Sequence, residues 1–357
     1  MSSVSLSNTA PVLVAGRLGP RRAFPLLIGM FVVVVLAALG LGSVFIAPQV
    51  VVAILVQRVG LELGIAVQPQ EVNIIWNIRL PRVMLAILVG SGLALAGALL
   101  QGIFRNPLAA PDLIGVSSGA ALGAVAVIVL GFAPLGLFTL PVVAFLGGVA
   151  ATVIVYRLAQ REGRASITAM LLVGIAFNVL AGAATGVLTY LADDPELRSV
   201  VFWTMGGLGG ALWPSVAGVL PFTVLALAAA PLLGRALNLF TLGETEAHQL
   251  GVPIERVKQG AIVVAALATG AGVAFAGPIG FIGLVVPHLI RLTLGPDHRT
   301  LLPAAALGGA IMLVLADLIA RTIAAPAEVP VGLITAFAGG PFFLYLILRT
   351  RQLYSVM

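Results

Sequence analysis

Charged side chains are scarce in this chain of 357 residues. Only 9% of its residues are charged, 19 Lys and Arg against 13 Asp and Glu, whereas soluble domains carry about 25%. Hydrophobic residues make up 60% of the chain, and the mean hydropathy is +1.15. So few charges cannot coat the surface of a water-soluble protein of this size. The composition argues against a soluble enzyme, a secreted domain or a nucleic-acid-binding protein, and it predicts a polytopic membrane protein.

Cysteine is absent, which excludes a disulfide framework, a thiolate metal site and thiol catalysis. Lysine occurs once, as Lys258, and it follows Val257 rather than the glycine that a phosphate-binding G-x-x-x-x-G-K-[ST] loop requires. The histidines His248, His288 and His298 are scattered and form no obvious metal-binding triad. We therefore predict no catalytic residue, no metal and no cofactor, and the chain itself is not a P-loop ATPase.

Ten apolar segments are candidates for membrane-spanning helices, which need about 20 apolar residues each. We expect an all-α polytopic membrane protein with about ten transmembrane helices. A short helix over 199–210 is expected at the membrane edge, and residues 1–22 form a polar N-terminal segment before a single domain, 23–357. The first span is too long for a signal peptide, so we expect it to be retained. The candidate spans are 24–46, 83–104, 114–131, 137–158, 168–191, 212–233, 260–277, 279–293, 302–320 and 331–348.

The loops between these segments carry nearly all of the basic residues, and their distribution predicts the orientation. With both termini on one side, that side holds 14 of the 19 Lys and Arg residues. Cytoplasmic loops are enriched in Lys and Arg, so both termini are predicted to be cytoplasmic. The basic residues on the other side are Arg58, Arg79, Arg82, Arg198 and Arg321.

A pattern of small residues occurs twice, 180 positions apart, at 90–97 and 270–277. Pro107 and Gly115 recur with the same offset as Pro287 and Gly295. Because five predicted spans separate the copies, the two copies would run in opposite directions, as in the inverted repeats of many transporters. The alternative is that small-residue faces recur because all the helices pack closely.

Two groups of charged residues stand out at the predicted outer ends of spans. Arg79 and Arg82 are three positions apart on one helix face, where they could contact lipid headgroups or bind an acidic partner or anionic substrate. Asp317 and Arg321, at positions i and i+4, could pair along their helix. Alternatively, Arg321 is a third outward-facing positive charge.

The segment from Gly243 to Pro253 is the longest polar stretch predicted on the cytoplasmic side. It predicts a short amphipathic helix ended by glycine, followed by a second helical start that runs from near Pro253 through Lys258. An ordinary solvated connector does not need two structured pieces. We therefore interpret about 241–258 as a docking surface for a cytoplasmic partner.

Several long motifs resemble the FecCD-type permeases, the membrane subunits of ABC importers for iron-siderophore complexes, haem and vitamin B12. The resemblance covers essentially the whole chain beyond residue 23. The stretches that carry it are RLPRVMLAILVGSGLALAGALLQGIFRNPLAAPDLIGVSSGA (79–120), LGETEAHQLGV (242–252), GPIGFIGLVVPHLIR (277–291), ADLIAR (316–321) and EVPVGLITAFAGGPFF (328–343).

The resemblance implies a homodimer in the bacterial inner membrane, with two cytoplasmic ATP-binding subunits and one periplasmic substrate-binding protein. It implies that outer arginines pair with glutamates of the binding protein, that one cytoplasmic segment couples to the ATPase, and that a gate lies between the fourth and fifth spans. The matching positions are Arg79, Arg82 and Arg321 for docking, Gly243, Glu244, Ala247, Leu250 and Gly251 for coupling, and Ser166 and Thr168 for the gate.

The cargo is less well specified. The stretch 193–208 is similar to that of haem permeases, which favours haem, with a ferric siderophore or cobalamin as the alternatives. Met205 and Trp203 in this stretch are interpreted as packing residues. A secondary transporter is a rival class, but it would need carboxylates in the middle of spans, where the sequence has essentially none. A structural scaffold would not need the structured loop.

Overall fold

The chain forms a helical bundle in the computed structural model, which describes residues 19–58 and 60–354. Residues 1–18, most of the predicted N-terminal segment, lie outside the described residues. The helices are α1 (Pro20–Gly40), α2 (Pro48–Gln57), α3 (Pro69–Asn73), α4 (Leu80–Phe104), α5 (Val116–Leu130), α6 (Thr139–Leu158), α7 (Ile167–Tyr190), α8 (Asp194–Thr204), α9 (Trp213–Phe240), α10 (Glu244–Gln249), α11 (Ile254–Ala276), α12 (Ile282–Leu294), α13 (His298–Ala320) and α14 (Val331–Tyr354). Two short strands, β1 (Gln160–Arg161) and β2 (Arg164–Ala165), join α6 to α7.

Each of the ten predicted spans corresponds to a helix, and the all-α membrane class is confirmed. Within the described part of the chain, seven helical stretches are long and apolar enough to cross a membrane. Helices α5 and α12 and the apolar part of α14 are shorter, so a count of ten spans stays a prediction. The apolar helix α2 was not predicted.

The predicted helix over 199–210 lies earlier, as α8 at Asp194–Thr204. Asp193 and Glu196 occupy the two positions of a capping box, and Oε2 of Glu196 accepts the N–H of Asp193 at 3.1 Å. Pro195 lies between them in the first turn, where a backbone N–H has no hydrogen-bond partner within the helix, so its absence loses no bond. These residues start the helix before 199, and Gly206, at a φ of +69°, follows its end.

Helix α4 is the centre of the bundle, with α9, α11, α12 and α13 packed around it. Glycines allow this close packing. A Cβ atom built on Gly97 would lie 1.7 Å from the carbonyl oxygen of Gly283 in α12, and one on Gly90 would lie 2.3 Å from that of Gly309 in α13. No side chain fits at either contact, so the helix backbones touch directly.

The two repeated segments pack against each other and run in opposite directions. Gly92 of α4 faces Ala268 of α11, whereas Val89 faces Gly272. The residue numbers rise along one helix as they fall along the other, which is the arrangement that an inverted repeat requires. The origin of the repeat in a duplication stays a prediction.

Helix α11 has 23 residues and is therefore about 34 Å long, which defines two ends of the bundle. At one end, Ala276 of α11 and Arg82 of α4 line the same cavity; we call this the arginine end. At the other end, Lys258 of α11 contacts Ala165 of the β-hairpin; we call this the hairpin end.

The hairpin was not predicted from the sequence. Gln160 pairs with Ala165, and Arg161 pairs with Arg164. The two turn residues between the strands, Glu162 and Gly163, both have positive φ, at +53° and +75°. Positive φ at both central residues is the geometry of a two-residue turn whose twist matches that of the flanking strands.

Candidate functional site

Arg82 lies at the centre of a buried ion cluster at the arginine end. Its Nε donates to Oδ1 of Asp317 at 2.8 Å, and its Nη1 donates to both carboxylate oxygens of Glu328, at 2.8 and 2.9 Å. The side chains of Arg82 and Asp317 are 8% and 1% exposed, whereas that of Glu328 is 50% exposed. The cluster joins α4, α13 and the loop before α14. Glu328 is the member of the cluster that is exposed at the surface.

Arg79 and Arg321 bind the C-terminal end of α1. Arg79 Nη1 donates to the carbonyl oxygens of Leu39 at 2.6 Å and Gly40 at 2.9 Å, and Arg321 Nη2 donates to the carbonyl oxygen of Ala38. The last carbonyls of a helix lack partners within that helix, and they carry its negative partial charge. Two guanidinium groups therefore cap α1, and Arg321 also lies 3.6 Å from the second oxygen of Asp317.

The structure brings the three predicted docking arginines to one end of the molecule. Arg79 and Arg82 are buried, and the side chain of Arg321 is 8% exposed. Arg79 ends the π-helical turn Ile74–Arg79, which runs directly into α4, and Arg82 lies in the first turn of α4. Their side chains contact different neighbours, α1 and α13. The Asp317–Arg321 pairing considered from the sequence is present. The docking role itself stays a prediction. Glu328 was not predicted as the partner of Arg82, although it is the first residue of the motif at 328–343.

A cavity of about 400 Å³ lies beside Arg82 and Glu328. Trp203 of α8 and Phe275 of α11 form part of its wall, together with the loop at 207–210. Trp203 also packs against the small apolar cluster between α5, α6 and α11, consistent with its interpretation as a packing residue. The cavity places aromatic rings next to an ion pair at the arginine end.

The predicted coupling segment contains α10, bounded by two glycines with positive φ. Gly243 has a φ of +126°, and a Cβ atom there would lie 2.0 Å from Oε2 of Glu246. Gly251 has a φ of +83°, a value that residues with a side chain rarely adopt. Ala247 is fully buried, whereas Leu250 is 59% exposed. Helix α10 therefore has one face in the core, and the apolar side chain of Leu250, directly after the helix, is exposed.

The second helical piece predicted near Pro253 is the start of α11, which continues to Ala276. It is joined to the first piece by Lys258, whose Nζ donates to Oε2 of Glu244 at 2.8 Å. The same Nζ donates to the carbonyl oxygen of Ala165 at 2.9 Å. No partner was predicted for Lys258 from the sequence, although a single lysine in an apolar chain, three residues after Glu255, indicates a buried pair.

The predicted gate residues lie beside this contact. Ser166 is the N-cap of α7, where its hydroxyl accepts a hydrogen bond from the N–H of Ala169 at 3.4 Å. Thr168 lies in the first turn, and both side chains are exposed at the hairpin end. Their position agrees with the region predicted between the fourth and fifth spans. Their role as a gate stays a prediction.

The family model described as the FecCD transport family matches residues 30–349. The chain belongs to this family. It is 52% identical over 286 residues to the hemin transport system permease protein of Yersinia pestis, which covers 78% of this chain and 84% of that protein. It is 45% identical over 289 residues to the cobalamin import system permease protein of Halobacterium salinarum, with coverages of 79% and 75%.

A solved structure confirms the architecture. The inward-facing conformation of a metal-chelate type ABC transporter superimposes with a TM-score of 0.79 at 33% identity, covering 92% of this chain and 99% of that one. This FecCD chain is therefore a multi-pass permease subunit of an ABC importer in the inner membrane. Such permeases work with ATPase subunits, which hydrolyse ATP, and with substrate-binding proteins.

The different burial of Asp317 and Glu328 predicts that their replacement reduces the stability of the protein by different amounts. Asp317→Asn leaves Arg82 and Arg321 without their shared buried carboxylate, so we expect a loss of about 3–5 kcal/mol in the free energy of unfolding. The control Glu328→Gln removes a half-exposed partner and should cost at most about 1 kcal/mol. Denaturant titration in detergent micelles measures both values, and equal losses would contradict the assigned burial.

Proposed function

We propose that this FecCD permease imports haem. The observation that carries the proposal is its 52% identity to a hemin permease over most of both chains. Cobalamin is the second candidate, because import permeases for cobalamin and vitamin B12 are 45% and 41% identical to the chain. The aromatic wall of the cavity at the arginine end suits a flat, largely apolar ligand, and ferric siderophores remain a further alternative.

The proposed mechanism is alternating access powered by the partner ATPase. A loaded binding protein docks at the arginine end, and the ATPase contacts the coupling segment at the hairpin end, around Gly243, Glu244, Ala247, Leu250 and Gly251. Closure of the ATPase then moves the helices and opens the path through the gate. Exposed Leu250 and the glycine-bounded helix α10 support the second contact.

This mechanism requires the hairpin end, and both termini, to lie in the cytoplasm. The excess of basic residues on that side, 14 of 19, supports the orientation. Because the chain has no cysteine, a single cysteine introduced at Glu162 can report it. A membrane-impermeant maleimide should label that position only after the cells are opened.

The cargo is tested by reconstitution with the cognate ATPase and binding protein in proteoliposomes that enclose an apo haem-binding protein. We expect ATP-dependent appearance of the haem Soret band inside the vesicles, and no inhibition by excess cyanocobalamin. Vesicles without ATP are the control. ATP-driven uptake of cobalamin without uptake of haem would overturn the haem assignment and favour the second candidate.

We also propose that the binding protein docks on Arg79, Arg82 and Arg321. Within the cluster, three guanidinium groups against the carboxylates of Asp317 and Glu328 leave one net positive charge, which favours an acidic group of the partner at this point. Since all three are bonded within the chain, an incoming carboxylate must exchange with a resident partner. Glu328, which is half exposed, is the partner that can leave at the lowest cost.

Docking predicts opposite effects for the two members of the Arg82–Glu328 pair. Arg82→Gln should weaken binding of the binding protein at least tenfold, and Glu328→Gln should strengthen it, because the arginine is then free for the incoming acid. Surface plasmon resonance on permease in nanodiscs measures both. Arg198→Gln, an exposed charge on α8, is the matched control. Wild-type affinity in folded Arg82→Gln would rule out this docking site.

We propose that two copies of the chain pair through α7. In its most apolar stretch, only 17% of residues are buried within the chain. Gly182 and Gly186 form a G-x-x-x-G pattern on its exposed side, and a Cβ atom on either would meet nothing within 4 Å. Membrane helices use such small-residue faces to approach each other closely.

Filling this face should separate the copies. We expect the double variant Gly182→Leu, Gly186→Leu to be monomeric in detergent, because the added side chains keep the α7 helices apart. Light scattering coupled to size-exclusion chromatography gives the mass. The control is Gly29→Leu on α1, at an exposed glycine that also has nothing within 4 Å. A double variant with the wild-type mass would refute pairing through α7.

A further inference from the structure

Lys258 is the single lysine of the chain, and it is buried, with 3% of its side chain exposed. Its Nζ has three acceptors: Oε2 of Glu244 at 2.8 Å, the carbonyl oxygen of Ala165 at 2.9 Å and Oε1 of Glu255 at 3.3 Å. An ammonium group has three N–H donors, so every donor has a partner. We call these four residues the lysine clasp.

The lysine clasp joins three elements that are separate in the chain. Glu244 begins α10, Glu255 and Lys258 lie in the first turns of α11, and Ala165 ends the hairpin. Glu255 strengthens the link to the hairpin, because its Oε2 accepts the N–H of Ala165 at 3.1 Å. Both backbone polar groups of Ala165 are therefore held by α11, and Ser166, the next residue, begins α7.

The clasp differs from the apolar packing around it. Ala165 and Ala247 are buried in one apolar cluster, but such contacts are not directional and tolerate small sliding movements. Hydrogen bonds to a buried ammonium group are directional, and a donor that loses its acceptor there has no water to replace it. A displacement of α10 must therefore either move the hairpin with it or break a hydrogen bond of Lys258, which costs free energy.

We propose that Lys258 is a positioning residue that transmits movement of the coupling helix α10 to the hairpin and to the first turn of α7. That turn carries Ser166 and Thr168, the predicted gate. The inference rests on the proposed function in one respect, the contact of the ATPase with α10. It adds the link between that contact and the gate, which runs through the side chain of Lys258.

The first measurement is cargo transported per ATP hydrolysed in proteoliposomes that contain the permease, its ATPase and the binding protein. In Lys258→Met, a side chain of similar length without donors, we expect ATP hydrolysis within about twofold of wild type and at least a tenfold fall in transport per ATP. Lys258→Arg, which keeps the charge and the donors, should restore part of the ratio. The control Arg235→Met removes an exposed basic charge on α9, outside the coupling segment, and should leave the ratio unchanged.

The second measurement separates transmission from stability. Hydrogen exchange of the permease–ATPase complex is compared with and without a non-hydrolysable ATP analogue. In the wild type, both 160–169 and 243–251 should change on nucleotide binding. In Lys258→Met, the change at 243–251 should persist and that at 160–169 should disappear. A purely structural role would raise exchange in both states and leave the nucleotide-dependent difference intact.

Wild-type transport per ATP in Lys258→Met, or an intact response of 160–169, overturns the proposal. If Lys258→Met does not assemble, Glu244→Gln serves instead in the exchange measurement, where a retained response of 243–251 shows that the ATPase still contacts α10. This variant weakens the bond to α10 and leaves Lys258 bonded to Ala165 and Glu255. The exchange measurement needs the ATPase and nucleotide but no cargo. A wrong assignment of haem therefore leaves this test readable, whereas failure of wild-type transport counts against the proposed function alone.

Discussion

Burial of a charge in an apolar environment costs several kcal/mol unless the charge is paired and hydrogen-bonded, and this cost determines where the few interior charges of the chain lie. Asp317 lies between two arginines, Arg79 binds the carbonyls that end α1, and Lys258 has three acceptors. Each of these groups lies near the end of a helix. In the apolar middle of the bundle, the helices are held together by close packing.

Close packing in the middle of the bundle connects its two charged ends rigidly. Glycine contacts hold the backbones of α4, α12 and α13 together without intervening side chains. Tightly packed interiors transmit displacement because they compress little. The arginine end and the hairpin end are joined by α11, which is about 34 Å long and carries Lys258 near its start. The proposed mechanism, with the ATPase at the hairpin end and the binding protein at the arginine end, depends on such a connection.

Sequence reasoning located ten of the apolar helices, α10 and the start of α11, because hydropathy and glycine positions are local features of the chain. It did not predict the apolar helix α2. It placed the start of α8 at 199 instead of 194, because the capping box at Asp193 and Glu196 was overlooked. It missed the hairpin, although Glu162 and Gly163 form a suitable turn. It also singled out the three arginines of the arginine end from their spacing and, through the resemblance, the coupling glycines, but it did not name the partners of Arg79 and Arg82.

By itself, the sequence determined the membrane class, the positions of the helices and the family, because these depend on local composition and on contiguous motifs. Only the tertiary structure decided which charges are paired. Arg82 and Asp317 are 235 positions apart, and Lys258 and Ala165 are 93 apart. Which of several distant groups a buried charge meets depends on how the helices pack. That packing is decided by the whole bundle rather than by any one segment.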